Sequence, residues 1–205
     1  MEKSPMVSSK ARTNKLVKLG LLAAISVVLV LFVKFPIFPA APFLEYDLAD
    51  VPILIGTFMF GPIERLLITV VVSILQWLLV SPASGWVGAV MHICATGAFV
   101  MVAGLIYKKQ RTIRGAILAL AAGALTMCIA MVPMNIFISP FYILLFGIKE
   151  TYPEAQSFYI SEYIWYSVAF NFIKAGINAV LTFLLYKATA KLFNLIDFKK
   201  KHHKA

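Results

Sequence analysis

Charged side chains are scarce in this chain. Only 14% of its 205 residues are Asp, Glu, Lys or Arg, while 61% are hydrophobic. A soluble domain carries about 25% charged and about 45–50% apolar residues. The deficit excludes an ordinary soluble domain and points to an integral membrane protein. Acidic residues are the scarcest: nine, against 19 basic ones, for a formal net charge of +10. Basic excess of this kind belongs to the cytoplasmic loops of membrane proteins, so nucleic acid is not the expected partner. The two cysteines, Cys94 and Cys128, sit in apolar runs without a CxxC pair or metal-ligand spacing. They read as small packing residues and do not fix a redox compartment. There is no GxxxxGK[ST] loop, no HExxH, no GxSxG and no internal repeat. Those absences remove ATP hydrolysis by the P-loop route and argue against an enzyme. No small-residue cleavage site soon follows the first apolar run, which is therefore expected to stay as a helix.

What is present is a series of long apolar segments. They predict six helices, at about Leu16–Lys34, Val51–Phe60, Ile63–Val80, Trp86–Tyr107, Gly115–Ile138 and Glu162–Phe193. A spanning helix takes about 20 apolar residues, so the second is too short to cross alone. The expected fold is an all-α integral membrane protein: one transmembrane domain over residues 1–205, with a polar head at 1–15 and a basic tail at 195–205. The three prolines Pro36, Pro39 and Pro42 predict an ordered loop rather than a helix. Asp50 reads as an N-cap with Pro52 in the first turn behind it. Pro133 is a candidate kink, and residues 140–161 read as a longer loop.

Charge orients the helices. Basic residues gather before helix 1, at Arg65, at 108–114 and after 187. The other side collects Glu45, Asp47, Asp50, Glu150, Glu154 and Glu162 against Lys34 and Lys149. With six crossings, both termini lie in the cytoplasm and the acidic stretch FLEYDLADVP, residues 43–52, faces outward.

Ionisable groups inside membrane helices cost several kcal/mol, on the order of 3 by insertion scales, and face a partner or a cavity. Ser167, Asn171, Lys174 and Asn178 recur at helical spacing and form one polar stripe. Asn135 lies near the outer end of the fifth helix. The outer halves of the last two helices are thus expected to share a polar pocket with the loop at 43–50. His92 is a lone imidazole and reads as a hydrogen-bonded packing residue. Gln76 and Trp77 are ambiguous between packing and ligand contact. Gly20 and Ala24 form a small-xxx-small pair that lets another helix approach closely. On residues alone, a membrane-embedded enzyme or assembly factor built on the Lys174 stripe stays open beside a binding protein.

Three runs carry a resemblance. Residues 42–62, PFLEYDLADVPILIGTFMFGP, resemble the loop 1–helix 2 signature of the riboflavin-specific substrate-binding (S) component of energy-coupling factor (ECF) transporters. Phe170-Asn-Phe-Ile-Lys174 resembles that family's flavin-contacting Phe-Asn-x-x-Lys motif. Asn135-Ile-Phe-Ile-Ser-Pro-Phe-Tyr142 resembles its helix 5 asparagine followed by Pro-x-Tyr. The likeness covers about residues 15–194 in matching order.

The resemblance implies a multi-pass protein of the prokaryotic plasma membrane whose six helices cup one vitamin near the outer face. Asn135, Asn171 and Lys174 would meet the polar edge of the isoalloxazine ring. Leu44, Glu45, Tyr46, Asp47 and Asp50 would form the lid and its hydrogen bonds, with Asp50 starting helix 2. Helix 1 would dock the transmembrane coupling subunit through Gly20-x-x-x-Ala24, where Ala-x-x-x-Ala is usual. Two ATPase subunits would drive transport, and riboflavin would be cargo rather than a cofactor. FMN as a further ligand would need donors near the outer mouth, where Lys34 is the nearby cation. His92 stands where an amide is commoner. Pantothenate or thiamine is the alternative cargo.

Overall fold

The computed structural model describes the backbone of residues 5–202, and the side chains of residues 13–186 and 188. The side chains of residues 1–12 and of the basic tail at 195–205 lie outside the described residues. The fold is helical: α1 (Pro5–Phe32), α2 (Asp50–Phe60), α3 (Pro62–Leu79), α4 (Gly85–Lys109), α5 (Ile113–Phe137), α6 (Pro140–Leu145), α7 (Tyr152–Glu162) and α8 (Ile164–His202). Five of these are long and apolar enough to cross a membrane, within Thr13–Phe32, Pro62–Leu79, Pro82–Lys109, Ile113–Phe137 and Ile164–Tyr186. The eleven residues of α2 rise only about 16 Å at roughly 1.5 Å each. That is about half of a hydrocarbon core roughly 30 Å thick.

Packing centres on α4, which lies against α5 on one side and α3 on the other, while α8 packs on α5 and α2. Small residues make the close approaches. A Cβ on Gly104 would stand 2.7 Å from the Pro62 ring and 2.9 Å from the Thr57 methyl. One on Gly123 would meet the Phe99 ring at 2.5 Å. The outward faces stay apolar, as a lipid-facing surface requires: Leu21, Val28, Leu67, Ile129 and Leu184 are all exposed.

Polar contacts fix how α1 and α3 run. Lys15 near the start of α1 pairs with Glu64 at the start of α3, and Lys34 just past α1 donates to Ser81 just past α3 at 2.7 Å. The two helices are therefore parallel, and the segment from residue 35 to residue 61 returns the chain between them.

Three regions differ from the sequence expectation. The proline-rich loop contains a small antiparallel hairpin, β1 (Lys34–Pro36) with β2 (Glu45–Asp47), in the register Phe35 opposite Tyr46. Pro36 fits because an edge strand spares it a donor it lacks. Residues 140–161, read as loop, carry α6 and α7. Each begins with a proline in its first turn, and α7 adds Glu154 against the N-terminal dipole. Their sequence signal is weak because both are short and α7 has no sustained apolar run. Third, Arg65, counted with the charges on the cytoplasmic side at the junction of the second and third helices, is fully buried. Its guanidinium lies 5.3 Å from the Phe60 ring centroid and has no hydrogen-bond partner among the described residues. It fits because Gly56 has no Cβ, which would otherwise stand 1.6 Å from Nη2. Beyond these, α5 continues as helix through Pro133, and α8 runs past the predicted end at Phe193 to His202.

The Gly104 contact is checkable. Gly104→Ala must displace Pro62 and Thr57 together, and overpacking of this kind costs about 1–3 kcal/mol. The expected result is a lowered unfolding midpoint for the detergent-purified protein.

Candidate functional site

The site is built around a buried cation. Lys174, in the middle of the apolar stretch Ile164–Tyr186 of α8, is 6% exposed. Its ammonium donates to Asp47 Oδ2 at 3.0 Å and lies 3.8 Å from Asp50 Oδ2. A charge in this setting persists only when paired and hydrogen-bonded. Further donors converge on Asp50. Thr96 and His92 Nε2 donate to Oδ1 at 2.5 and 2.9 Å, and Asn178 donates to Oδ2 at 2.8 Å. His92 Nδ1 lies 2.7 Å from Ser73 Oγ. The network therefore joins the lid loop, α2, α3, α4 and α8.

Asp47 and Asp50 divide the work. Asp47 Oδ1 accepts from the Ala49 amide at 2.9 Å, the local turn bond that Asp favours. Its other oxygen holds Lys174. Asp50 does begin α2, but its carboxylate makes no capping bond; the cap position is Ala49, with no side-chain cap. Demand from four partners across the bundle draws the carboxylate inward instead. Its charge still sits at the positive end of the helix. Tyr46 donates to Asn178 Oδ1 at 2.9 Å and packs on Phe35. Burial pushes its hydroxyl up to about 12, so it remains a donor at physiological pH.

A cavity of about 130 Å³ opens beside this network. Of the residues singled out in the sequence, Leu44, Glu45, Asp47, Asn135, Asn171 and Lys174 line it. Asp50 stands behind that lining, one hydrogen bond from His92, and Tyr46 lies further back, joined to Asp50 through Asn178. The stripe on α8 is buried along its length, with Ser167, Asn171 and Asn178 all at 4% exposure or less. Two buried polar atoms of the lining have no partner: Asn135 Nδ2, a donor, and Gln76 Oε1, an acceptor. His92 both lines the cavity and holds Asp50. Among the described residues no group of three or more His, Cys, Asp or Glu side chains is placed to hold a metal ion.

Gln76 and Trp77, which the sequence leaves between packing and ligand contact, also line the cavity, while Ser73, Gly88 and Met91 on the same α3–α4 side are not recognisable from sequence. Their signal is weak: one hydroxyl and two residues that read as packing. A second cavity of about 500 Å³ lies against the first, sharing Lys34, Phe43, Glu45, Ser81, Ser84 and Tyr142 as walls. Small-molecule sites measure about 300–1,000 Å³, so the first cavity is smaller than that range and the second falls within it. The partition is polar: Lys34 pairs with Glu45 at 2.7 Å while donating to Ser81.

The chain belongs to the family of substrate-specific components of ECF transporters: its family model matches residues 14–186. The relatives carry a narrower name. The riboflavin transporter RibU of Staphylococcus aureus is 30% identical over 186 residues, covering 90% of this chain and 95% of that protein. RibU of Streptococcus thermophilus is 31% identical, covering 82% and 85%. The riboflavin transporter FmnP of Bacillus subtilis is 31% identical over about half of each chain. A solved structure described as the S component of a bacterial ECF transporter superposes with a TM-score of 0.73 at 30% identity, over 89% of this chain and 98% of that one.

Removing the cation tests the network. Lys174→Met leaves Asp47 and Asp50 buried without their positive partner, a loss that costs about 3–5 kcal/mol. The expected outcome is a marked fall in unfolding midpoint without ligand. Asp47→Asn, which leaves the Lys174–Asp50 pair, should fall less.

Proposed function

We propose that this chain is the riboflavin-binding membrane subunit of an ECF vitamin transporter and does no chemistry of its own. The observation that carries this is the cavity's polar equipment: two asparagines and one buried lysine beside the aromatic and apolar side chains of Phe43, Trp77, Met131 and Phe170. A flavin ring is flat and mostly apolar, with one edge of alternating carbonyls and N–H groups. Asn135 and Asn171 offer both donors and acceptors to such an edge, and Lys174 a charged donor. The unpartnered Asn135 Nδ2 is the group a ring carbonyl would satisfy. Leu44, Glu45 and Asp47 supply the lid, while Tyr46 and Asp50 set Asn178 and Lys174 from behind. The names of the relatives support the same cargo.

The chain is read as crossing the membrane six times, with α2 making the short second crossing. Both termini are then cytoplasmic and the pocket opens to the outer face. The parallel course of α1 and α3 supports this count. Transport then requires the coupling subunit and two ATPases. Gly20 and Ala24 are the proposed docking positions: both are exposed on α1, and nothing lies within 4 Å of a Cβ built on Gly20. FMN would place its phosphate near Lys34, whose charge Glu45 already offsets, so weaker binding than riboflavin is expected.

Purified protein titrated with riboflavin tests the assignment by quenching of flavin fluorescence. Asn171→Ala and Lys174→Ala should each weaken binding by more than about tenfold, because buried polar groups lose their partners. Unchanged affinity in both would refute the assignment. For docking, Gly20→Leu with Ala24→Leu should abolish co-purification with the coupling subunit while leaving riboflavin affinity intact. Retained assembly would place the contact elsewhere.

A further inference from the structure

We propose that His92 is an imidazolium: it carries the second positive charge of the buried network, so that Asp47, Asp50, Lys174 and His92 together are electrically neutral.

The inference starts from a count of hydrogens. Ser73 Oγ lies 2.7 Å from the Thr69 carbonyl and 2.7 Å from His92 Nδ1. A serine hydroxyl has one proton to give. The Thr69 carbonyl cannot donate, so the proton in that short contact is the serine's. Nδ1 must then carry a proton of its own and donate it to the serine oxygen. On the other side of the ring, Nε2 lies 2.9 Å from Asp50 Oδ1, which already accepts from Thr96. A bare Nε2 would set its lone pair against a carboxylate oxygen at hydrogen-bond distance. A proton lies in that contact too, and it resides on the imidazole, the more basic of the two groups. Both ring nitrogens are therefore donors, which is the imidazolium form.

The charge balance agrees. His92 and Asp50 are both buried, and buried charge persists when it is paired and hydrogen-bonded. Lys174 stands nearer Asp47, at 3.0 Å, than Asp50, at 3.8 Å. With a neutral imidazole, two carboxylates would face one ammonium and a negative charge would stay uncompensated. No neighbouring element supplies the missing cation. Lys34 is engaged by Glu45 at 2.7 Å. Tyr46 on the hairpin, Tyr142 on α6 and Tyr159 on α7 are phenols and carry no positive charge. The α3 and α5 walls of the cavity present no charged side chain. An imidazolium completes three pairs: Lys34–Glu45, Lys174–Asp47 and His92–Asp50.

His92 is then a positioning residue. It answers Asp50 and leaves Lys174 to Asp47 and to the cavity. A neutral site suits an uncharged cargo, whereas an uncompensated carboxylate would favour a cation such as thiamine. That consequence rests on the flavin reading above; the charge assignment does not.

Two experiments on full-length, detergent-purified protein without cargo decide the charge, and riboflavin titration decides the flavin reading separately. In the first, His202→Gln with His203→Gln leaves His92 as the single histidine. Nitrogen NMR of the isotopically labelled imidazole at neutral pH then counts its protons. Two protonated ring nitrogens are expected; one protonated and one bare nitrogen would overturn the proposal. The second is a charge rescue. His92→Gln should lower the unfolding midpoint. Adding Asp47→Asn removes one carboxylate and should raise the midpoint again, because Lys174 and Asp50 then balance. A neutral, merely hydrogen-bonding histidine predicts a double variant less stable than either single one, and that result would also overturn the proposal.

Discussion

Everything at the binding end of this protein depends on keeping one ammonium charged inside an apolar bundle. Lys174 is too far from either end of its span to reach water. It is stabilised by carboxylates that come from elsewhere in the chain: Asp47 from the hairpin and Asp50 from the start of α2. That requirement pins the lid loop to α8. It also sets Tyr46 against Asn178 and calls in Thr96 and His92 as donors to the second aspartate. A single charge in the wrong solvent thus organises four helices and a loop that share little else.

The same constraint explains the division of the outer half into two spaces. The smaller cavity is bordered by the Asp47–Lys174 pair, which ties the hairpin to α8. The outer cavity is bounded by residues that belong to the lid and the 81–84 turn, joined by Lys34. Under the proposed flavin reading, a ligand carbonyl at Lys174 would replace part of what Asp47 supplies, which would tie ligand binding and loop position to one ammonium. In a water-poor environment such exchanges carry more energy than they would at a surface.

Much of this was legible in the sequence because membrane helices write strong signals. Long apolar runs placed the spans to within a few residues. Ser167, Asn171, Lys174 and Asn178 were visible as a stripe because polar residues stand out against an apolar background. The acidic loop stood out for the same reason. Other features were illegible for physical reasons. The hairpin has only three residues in each strand, too few for an alternating pattern. Asp50 has the local signature of a cap, and only the tertiary demand of His92, Thr96 and Asn178 turns its carboxylate inward. Arg65 carries the mark of a cytoplasmic loop residue, and its burial depends on a bare Gly56 nine residues earlier.

The central claim is that the lid is held by the Asp47–Lys174 pair rather than by loop packing around Phe43 and Leu44. A double-mutant cycle tests it most directly: Asp47→Ala, Lys174→Ala and the double variant, each unfolded from micelles without ligand. If the pair holds the lid, the two substitutions are strongly non-additive, with a coupling energy of at least about 1.5 kcal/mol, as found for close buried charge pairs. Additive losses, within about 0.5 kcal/mol, would contradict the account.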